Sequence, residues 1–195
     1  MYDPRDSRSW LCNHLRCLGS FMNTRMEITT YSCTRCGHEH SGPPYSFAAD
    51  YPDPYANMSH DQRDIRAVIG SDQCIIDGEQ FYIRGCLELP IIGTEDIFLW
   101  GVWAKLNGEP FDEISAHWET EGREKQIGPY KGLLANSLSL YPETLNMKLQ
   151  IDIRPVGERP LFTLQESAHP LSIEQVNGLI ADRAQEYACL LLKMA

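Results

Sequence analysis

Apolar and polar side chains alternate most strictly between Leu145 and Arg154, where every second residue is Leu, Met or Ile. This period of two predicts a β-strand with one buried face and one exposed face. Residues 160–164 follow as its expected neighbour in the sheet. Residues 97–106 are apolar almost throughout and predict a further, more deeply buried strand.

The clearest hairpin surrounds Asp77 and Gly78, because Asp-Gly between two apolar runs favours a two-residue turn. Such a turn would place Cys74 opposite Phe81 and on the other face of the sheet from Cys86. At about 3.3 Å per residue, Cys86 would also lie about 16 Å along the strand from that position. We therefore expect the two thiols not to share one metal ion.

Helical patterns separate the predicted strands. Ser59 and Gln62, three residues apart, match a capping box, and Gly70 is the expected stop of that helix. Pro110 fits the first turn of a helix that reaches about residue 120, and helical sequence resumes from about residue 172 with a break near Gly178. The order of elements predicts an α+β fold, with a mainly antiparallel sheet, inserted helices and a C-terminal helix.

The 195 residues carry a formal net charge of −10, and 43% of them are hydrophobic. Lysine and arginine form no cluster, so we expect neither a nucleic-acid partner nor an anionic membrane surface. No apolar run approaches the roughly 20 residues of a membrane span, and the N-terminus lacks the pattern of a signal peptide. Seven cysteines without a secretory signal favour reduced thiols in a cytoplasmic protein.

The first 25 residues differ in charge from the rest of the chain. Their four arginines and two aspartates give +2, which leaves −12 for residues 26–195. We expect residues 1–25 to be a leader outside the fold and residues 26–195 to form a single α+β domain. Two explanations for the leader remain open: a disordered tail, or a true start of the chain at Met22 or Met26.

Residues 33–37, Cys-Thr-Arg-Cys-Gly, form the motif with the most evident chemistry. Two thiolates separated by two residues can bind one ion from a tight turn, and the glycine gives that turn its backbone freedom. We expect Cys33, Cys36 and His40 to hold a structural zinc ion. The fourth ligand stays open among His38, Cys74 and His169.

Two other interpretations of this cysteine knuckle compete with a metal site. A thioredoxin-like redox pair normally opens a helix, whose N-terminus lowers the thiol pKa. Here the pair is followed by Gly37 and then by Gly-Pro-Pro at 42–44, which favours a loop. The remaining possibility is a turn that carries two thiols without a shared function.

Three further residues are candidates for a functional site. Arg84 and Glu88 are charges inside an otherwise apolar strand, where they flank Cys86. They form either a ligand-facing patch or a structural feature, such as a solvated face or a cross-strand ion pair. His169 precedes Pro170 and is expected to cap or orient the C-terminal helices.

Several stretches in a fixed order carry a family resemblance: residues 33–40, 71–77, 81–90, 100–103, 141–144, 159–160 and 169–171. Together they resemble the bacterial family called domain of unknown function 2199, over about residues 29–193. The resemblance implies a domain that excludes the leader and a metal knuckle on Cys33, Cys36 and His40. It implies no known activity. Residues 130–133 and Ala168 differ from those common in the family.

The preferred functional interpretation is a non-catalytic binding protein with a structural zinc ion. An acidic surface suits a basic protein partner, such as a toxin neutralised by an immunity protein. The alternative is a small metal-assisted hydrolase with Arg84, Glu88 and His169 at its site. An exposed acidic or aromatic patch without a deep pocket would favour binding, whereas a pocket that gathers Arg84 and Glu88 would favour catalysis.

Overall fold

The computed structural model of the protein describes residues 30–32, 39–42 and 44–194, with the backbone alone at 30–32, 39–41 and 194. The expected leader, residues 1–25, lies outside this part of the chain, and its boundary stays a prediction. Cys33, Cys36 and His38 of the expected knuckle also lie outside it.

Along the described residues the strands are β1 (Thr30–Ser32), β2 (Glu39–Ser41), β3 (Ser46–Ala48), β4 (Ala67–Ile69), β5 (Gln73–Ile76), β6 (Gln80–Ile92), β7 (Ile97–Leu106), β8 (Tyr130–Leu134), β9 (Lys148–Asp152), β10 (Leu161–Leu164) and β11 (Leu179–Ile180). The α-helices are α1 (Asp53–Ala56), α2 (His60–Arg66), α3 (Gly108–Ala116), α4 (Pro170–Asn177) and α5 (Ala181–Met194). The mixture of helices and mainly antiparallel strands confirms the α+β class.

Strands β6 to β10 close into a five-strand barrel. Each pairs antiparallel with the next along the chain, and β10 then pairs parallel with β6. The closure is parallel because the fifth strand of an up-and-down path runs in the same direction as the first. At this seam Leu161 lies beside Cys86, whose amide donates to the carbonyl of Pro160 at 2.8 Å. The sequence did not predict this closure.

The other strands extend β6 and β7 beyond the barrel. β3 pairs parallel with the start of β7, β5 and then β4 extend the sheet from the start of β6, and β11 pairs with the end of β6. Both faces of the long β6–β7 hairpin carry buried side chains. One face supplies the barrel core, which includes Ile83, Leu87, Val102 and Phe162.

The opposite face of the hairpin carries a second, smaller apolar cluster. Its buried members are Cys74, Ile76, Tyr82, Trp103 and Ala135. Tyr55 and Met58, from α1 and the turn after it, pack against this cluster. The outer face of β6, which carries several polar residues, is therefore partly covered by α1 and the turn after it.

The β5–β6 hairpin has the expected turn in a different register. Asp77 and Gly78 have φ values of 55° and 69°, which suit the predicted Asp-Gly turn. The turn contains one more residue than predicted, so Cys74 pairs with Tyr82 instead of Phe81. A shift of one residue exchanges the two faces of a strand. The expectation that Cys74 and Cys86 point to opposite faces was therefore wrong, although four residues still separate Tyr82 from Cys86.

Two of the helices, α2 and α3, begin near where the sequence placed them but end earlier. Ser59 and Gln62 form the predicted capping box at the start of α2. That helix ends at Arg66, before the expected stop at Gly70, because Ala67 adopts an extended backbone that begins β4. α3 also ends earlier than expected, at Ala116, and the break at Gly178 is confirmed.

Candidate functional site

The candidate site lies on the outer face of β6. Tyr82, Arg84, Cys86 and Glu88 alternate with residues that face the barrel core, and they share the opposite face. Across the sheet, Trp103 of β7 pairs with Arg84. At the seam, Leu161 pairs with Cys86 in a parallel register. The residues that precede Leu161 in the chain therefore lie towards Arg84.

Arg84 is the most deeply buried charge on this face, with 9% of its surface exposed. Its Nη2 donates to the carbonyl of Ala49 at 2.8 Å, and its guanidinium lies 5.8 Å from the ring centroid of Trp103. Its Nε is buried and has no hydrogen-bond partner among the described residues. Burial lowers the pKa of Arg84 and the nearby charge of Arg159 lowers it further, whereas the charges of Asp72 and Asp50 offset only part of these effects. The positive charge is thus held in an unfavourable environment.

Two arginine–carboxylate pairs flank this residue. Nε of Arg159 lies 2.5 Å from Oδ1 of Asp72, and Nη2 of Arg154 lies 2.7 Å from Oε1 of Glu88. All four side chains are about one-fifth to one-quarter exposed. The ion-pair interpretation therefore holds for Glu88, whose partner Arg154 the sequence alone did not identify.

Cys86 lies between Arg84 and Glu88 as a partly buried free thiol. Burial raises the pKa of this thiol above its usual value, and the charges of Arg159 and Arg154 only partly offset that effect. The thiol is accordingly protonated at neutral pH. This cluster provides positive charge and hydrogen-bond donors, and it lacks an activated nucleophile paired with a base.

His169 performs the structural role that the sequence predicted. Its Nδ1 accepts a hydrogen bond from the amide of Leu171 at 3.2 Å and thereby caps α4. Its ring lies 6.5 Å from that of Tyr141, which belongs to the barrel core, whereas Arg84 packs on Trp103 of the second cluster. The described structure therefore does not bring His169 together with Arg84 and Glu88.

A partly buried polar network that the sequence did not reveal joins α4 to α5. The hydroxyl of Tyr141 donates to Oε2 of Glu174 at 2.6 Å, and Nε of Arg183 lies 2.9 Å from Oε1 of the same carboxylate. Nε of Arg183 also donates to the hydroxyl of Tyr187. Burial and the hydrogen bond to Glu174 strongly raise the pKa of Tyr141. Tyr141 lies 33 positions from Glu174, so no local pattern signals this contact.

The expected metal knuckle coincides with the β1–β2 hairpin. Ser32 pairs with Glu39 and Tyr31 with His40, so residues 33–38 connect the two strands. Cys33, Cys36 and the side chain of His40 lie outside the described residues, and the zinc site stays a prediction. Elsewhere in the described chain, no group of three or more His, Cys, Asp or Glu side chains could hold a metal ion.

An open cleft of about 750 Å³ runs over strands β7 to β10. Its charged lining residues are Lys105, Lys131 and Lys148, accompanied by amide side chains such as Gln150 and Gln165. Among the described residues, no carboxylate, imidazole or thiol lines it. The ionisable side chains of this described lining are the three lysines.

α3 and the turn after it carry an exposed acidic surface. Phe111 and Ile114 anchor one side of the helix in the core, while the other side bears carboxylates. The acidic face consists of Glu109, Asp112, Glu113, Glu119 and Glu121, all exposed. No lysine or arginine of the described residues lies within ion-pair distance of these five. Tyr130 donates a hydrogen bond to Glu113 at 2.6 Å.

Arg123 lies close to the acidic face in sequence and its charge acts on Glu119, but it forms no ion pair with the face among the described residues. The residue is buried, with 2% of its surface exposed. Its guanidinium donates to four backbone carbonyls, those of Trp118, Arg154, Pro155 and Glu158. The guanidinium therefore makes its hydrogen bonds inside the fold, and the carboxylates of the acidic face remain exposed to solvent.

A family model described as an uncharacterized protein conserved in bacteria (DUF2199) matches residues 32–179 of the chain. This match confirms the family expected from the sequence. No curated protein and no solved structure matches the chain significantly. Among the described residues, no helix has the length and apolar character needed to cross a membrane.

Proposed function

The chain belongs to this bacterial DUF2199 family, whose description names no activity, and we propose that it is a non-catalytic binding protein for a basic protein partner. The observation that carries the proposal is the acidic face on α3 and the turn after it. Five exposed carboxylates lie there without a basic neighbour in ion-pair distance among the described residues. An immunity-type protein, which neutralises a basic toxin, is one role of this kind.

The construction of α3 supports recognition by this face. Glu109, Asp112 and Glu113 are three and four residues apart and so project from the same side of the helix. Phe111 and Ile114 fix the helix to the core, which limits the conformational freedom that a partner would have to remove. A concentrated negative field of this type raises association rates with positively charged proteins.

The alternative, a metal-assisted hydrolase around Arg84, Glu88 and His169, remains a hypothesis without a specific observation in its favour. Glu88 is paired with Arg154, His169 caps α4, and Arg84 bonds the carbonyl of Ala49. These contacts are structural ones. The lysine-lined cleft does not include any of the three residues.

A structural zinc ion at Cys33, Cys36 and His40 is part of the proposal. The pairing of β1 with β2 supports it, because the two cysteines occur in the connection of an antiparallel hairpin and His40 follows in its second strand. Thiolate and imidazole are the ligands that zinc prefers in structural sites. The ion would stabilise a hairpin too short to be stable alone.

The proposal is tested by calorimetric titration of the full chain with a lysine-rich peptide and with a glutamate-rich peptide of equal length. We expect saturable binding of the lysine-rich peptide alone. Its affinity should fall at least about tenfold when salt is raised from about 0.05 M to about 0.5 M, because exposed charges are screened. Equal binding of both peptides, or binding of neither, would contradict a basic partner.

A further inference from the structure

Arg84 carries a positive charge that the described contacts neutralise only in part. The residue is nine-tenths buried, and its Nε has no hydrogen-bond partner among the described residues. Among the described residues, the hydrogen bond that its guanidinium makes reaches a neutral group, the carbonyl of Ala49. A buried donor that loses its water without gaining a partner costs free energy. Nε of Arg84 therefore needs a hydrogen-bond acceptor.

The carboxylates around Arg84 are engaged elsewhere or too distant. Asp72 is paired with Arg159, and Glu88 is paired with Arg154. Asp50 also acts on the charge of Arg84, but it is exposed and lies beyond ion-pair distance. Three guanidinium groups and three carboxylates thus act on this part of the surface, and Arg84 is the guanidinium that forms no ion pair among the described residues.

Cys86 lies within the same electrostatic environment. It follows Arg84 by two residues on the same face of β6 and is partly exposed. Burial and the charge of Glu88 raise the pKa of its thiol, whereas the charges of Arg159, Arg154 and Arg84 lower it. A small ligand that approaches the partly exposed thiol therefore meets three positive charges, of which Glu88 offsets a part.

We propose that Arg84, Arg154 and Arg159 form a binding site for a small oxyanion of the carboxylate or phosphate class beside the Cys86 thiol. Oxygen atoms of such an anion would accept from Nε of Arg84, which satisfies the buried donor. Guanidinium groups suit this chemistry because their planar N–H donors match the spacing of carboxylate and phosphate oxygens. The site is independent of the acidic face, so either proposal can fail without the other.

The thiol of Cys86 serves as a local reporter of this site. The full chain is alkylated with iodoacetate, which is anionic, or with iodoacetamide, which is neutral, and modification at Cys86 is followed by peptide mass spectrometry. The ratio of the two rates is compared with that of the same cysteine in the urea-unfolded chain. We expect the ratio to be at least about threefold higher in the folded protein, because the arginines attract the anionic reagent.

Competition identifies the ligand class. Inorganic phosphate should suppress carboxymethylation of Cys86 saturably, whereas sodium chloride at the same ionic strength should not. Acetate is tested in the same way. Suppression by phosphate alone would assign the ligand to the phosphate class, and suppression by both phosphate and acetate would assign it to oxyanions generally. An unchanged rate ratio with no protection by either anion would overturn the proposal, since water alone would then satisfy Arg84.

Variants assign the effect to the arginine cluster. Arg84→Gln should lower the rate ratio towards that of the unfolded chain, because Arg154 and Arg159 remain, and it should abolish protection by phosphate. Lys105→Gln removes the same charge from β7, outside the cluster, and should leave both readouts unchanged. An equal loss in both variants would contradict a defined site. If Arg84→Gln does not fold, the phosphate titration on the unmodified chain still decides the question.

Discussion

The ring of Phe162 on β10 lies directly against the backbone of Gly85 on β6. A Cβ atom added at residue 85 would lie 2.5 Å from Cε1 and 2.7 Å from Cε2 of this ring. Phe162 is fully buried in the barrel core. The contact is next to the parallel seam between β10 and β6, so the absence of a side chain at residue 85 is what lets the ring fill the barrel where it closes.

Substitution of Gly85 by alanine should therefore destabilise the protein by about 2 kcal/mol or more, because the ring cannot move without disturbing a packed core. Gly70→Ala is the matched control, since a Cβ there would meet its nearest heavy atom at 3.8 Å. Urea unfolding compares the two variants. A cost at residue 85 no larger than at residue 70 would show that the ring does not occupy this position.

Alkaline pH should weaken the fold through Cys74. Burial raises the pKa of this thiol to about 11, whereas the unfolded chain releases the proton near the ordinary value of 9.0. The folded state thus holds more protons in between, and stability falls as pH rises from about 9 towards 11. The loss should reach about 2 kcal/mol in urea unfolding.

The variant Cys74→Ala isolates this effect. It removes the thiol from the second apolar cluster, so its free energy of unfolding should depend less steeply on pH between 9 and 10. Tyr82, whose pKa burial raises to about 12, contributes mainly above its ordinary value of 10.0. The same slope in the variant and the unmodified chain would assign the alkaline loss to other groups.

The zinc prediction is tested by the metal content of the purified full chain. We expect about one equivalent of zinc per chain after extensive dialysis, because a structural site binds tightly. The double variant Cys33→Ser/Cys36→Ser should lose it, whereas Cys189→Ser, on α5, should retain it. Less than about a tenth of an equivalent of any transition metal in the unmodified chain would exclude the site.

Local patterns predicted the elements of this fold well. The alternation that ends at Arg154 gives β9, with Leu149 and Ile151 buried and Lys148 and Gln150 exposed. The capping box of α2 also forms as expected. Both are properties of consecutive residues, which is why the sequence is sufficient to identify them.

Features that depend on distant residues were not predicted. Arg159 pairs with Asp72 across 87 positions of the chain, and Phe162 meets Gly85 across the barrel. The register of the β5–β6 hairpin depends on Glu79, which joins the turn instead of pairing with Ile76. That single residue decides which face Cys74 occupies, and the Asp-Gly signal alone does not specify it.

The most direct test of the central claim is the dissociation constant of the lysine-rich peptide for two charge-matched variants of the full chain. One replaces Glu109, Glu119 and Glu121 by Gln and Asp112 by Asn, and leaves Glu113 to hold Tyr130. The other replaces four exposed glutamates elsewhere by Gln: Glu79, Glu95, Glu166 and Glu186. We expect at least about a tenfold loss of affinity in the first variant and less than about a threefold loss in the second. Equal losses would show that the peptide responds only to net charge and would contradict recognition by the α3 face.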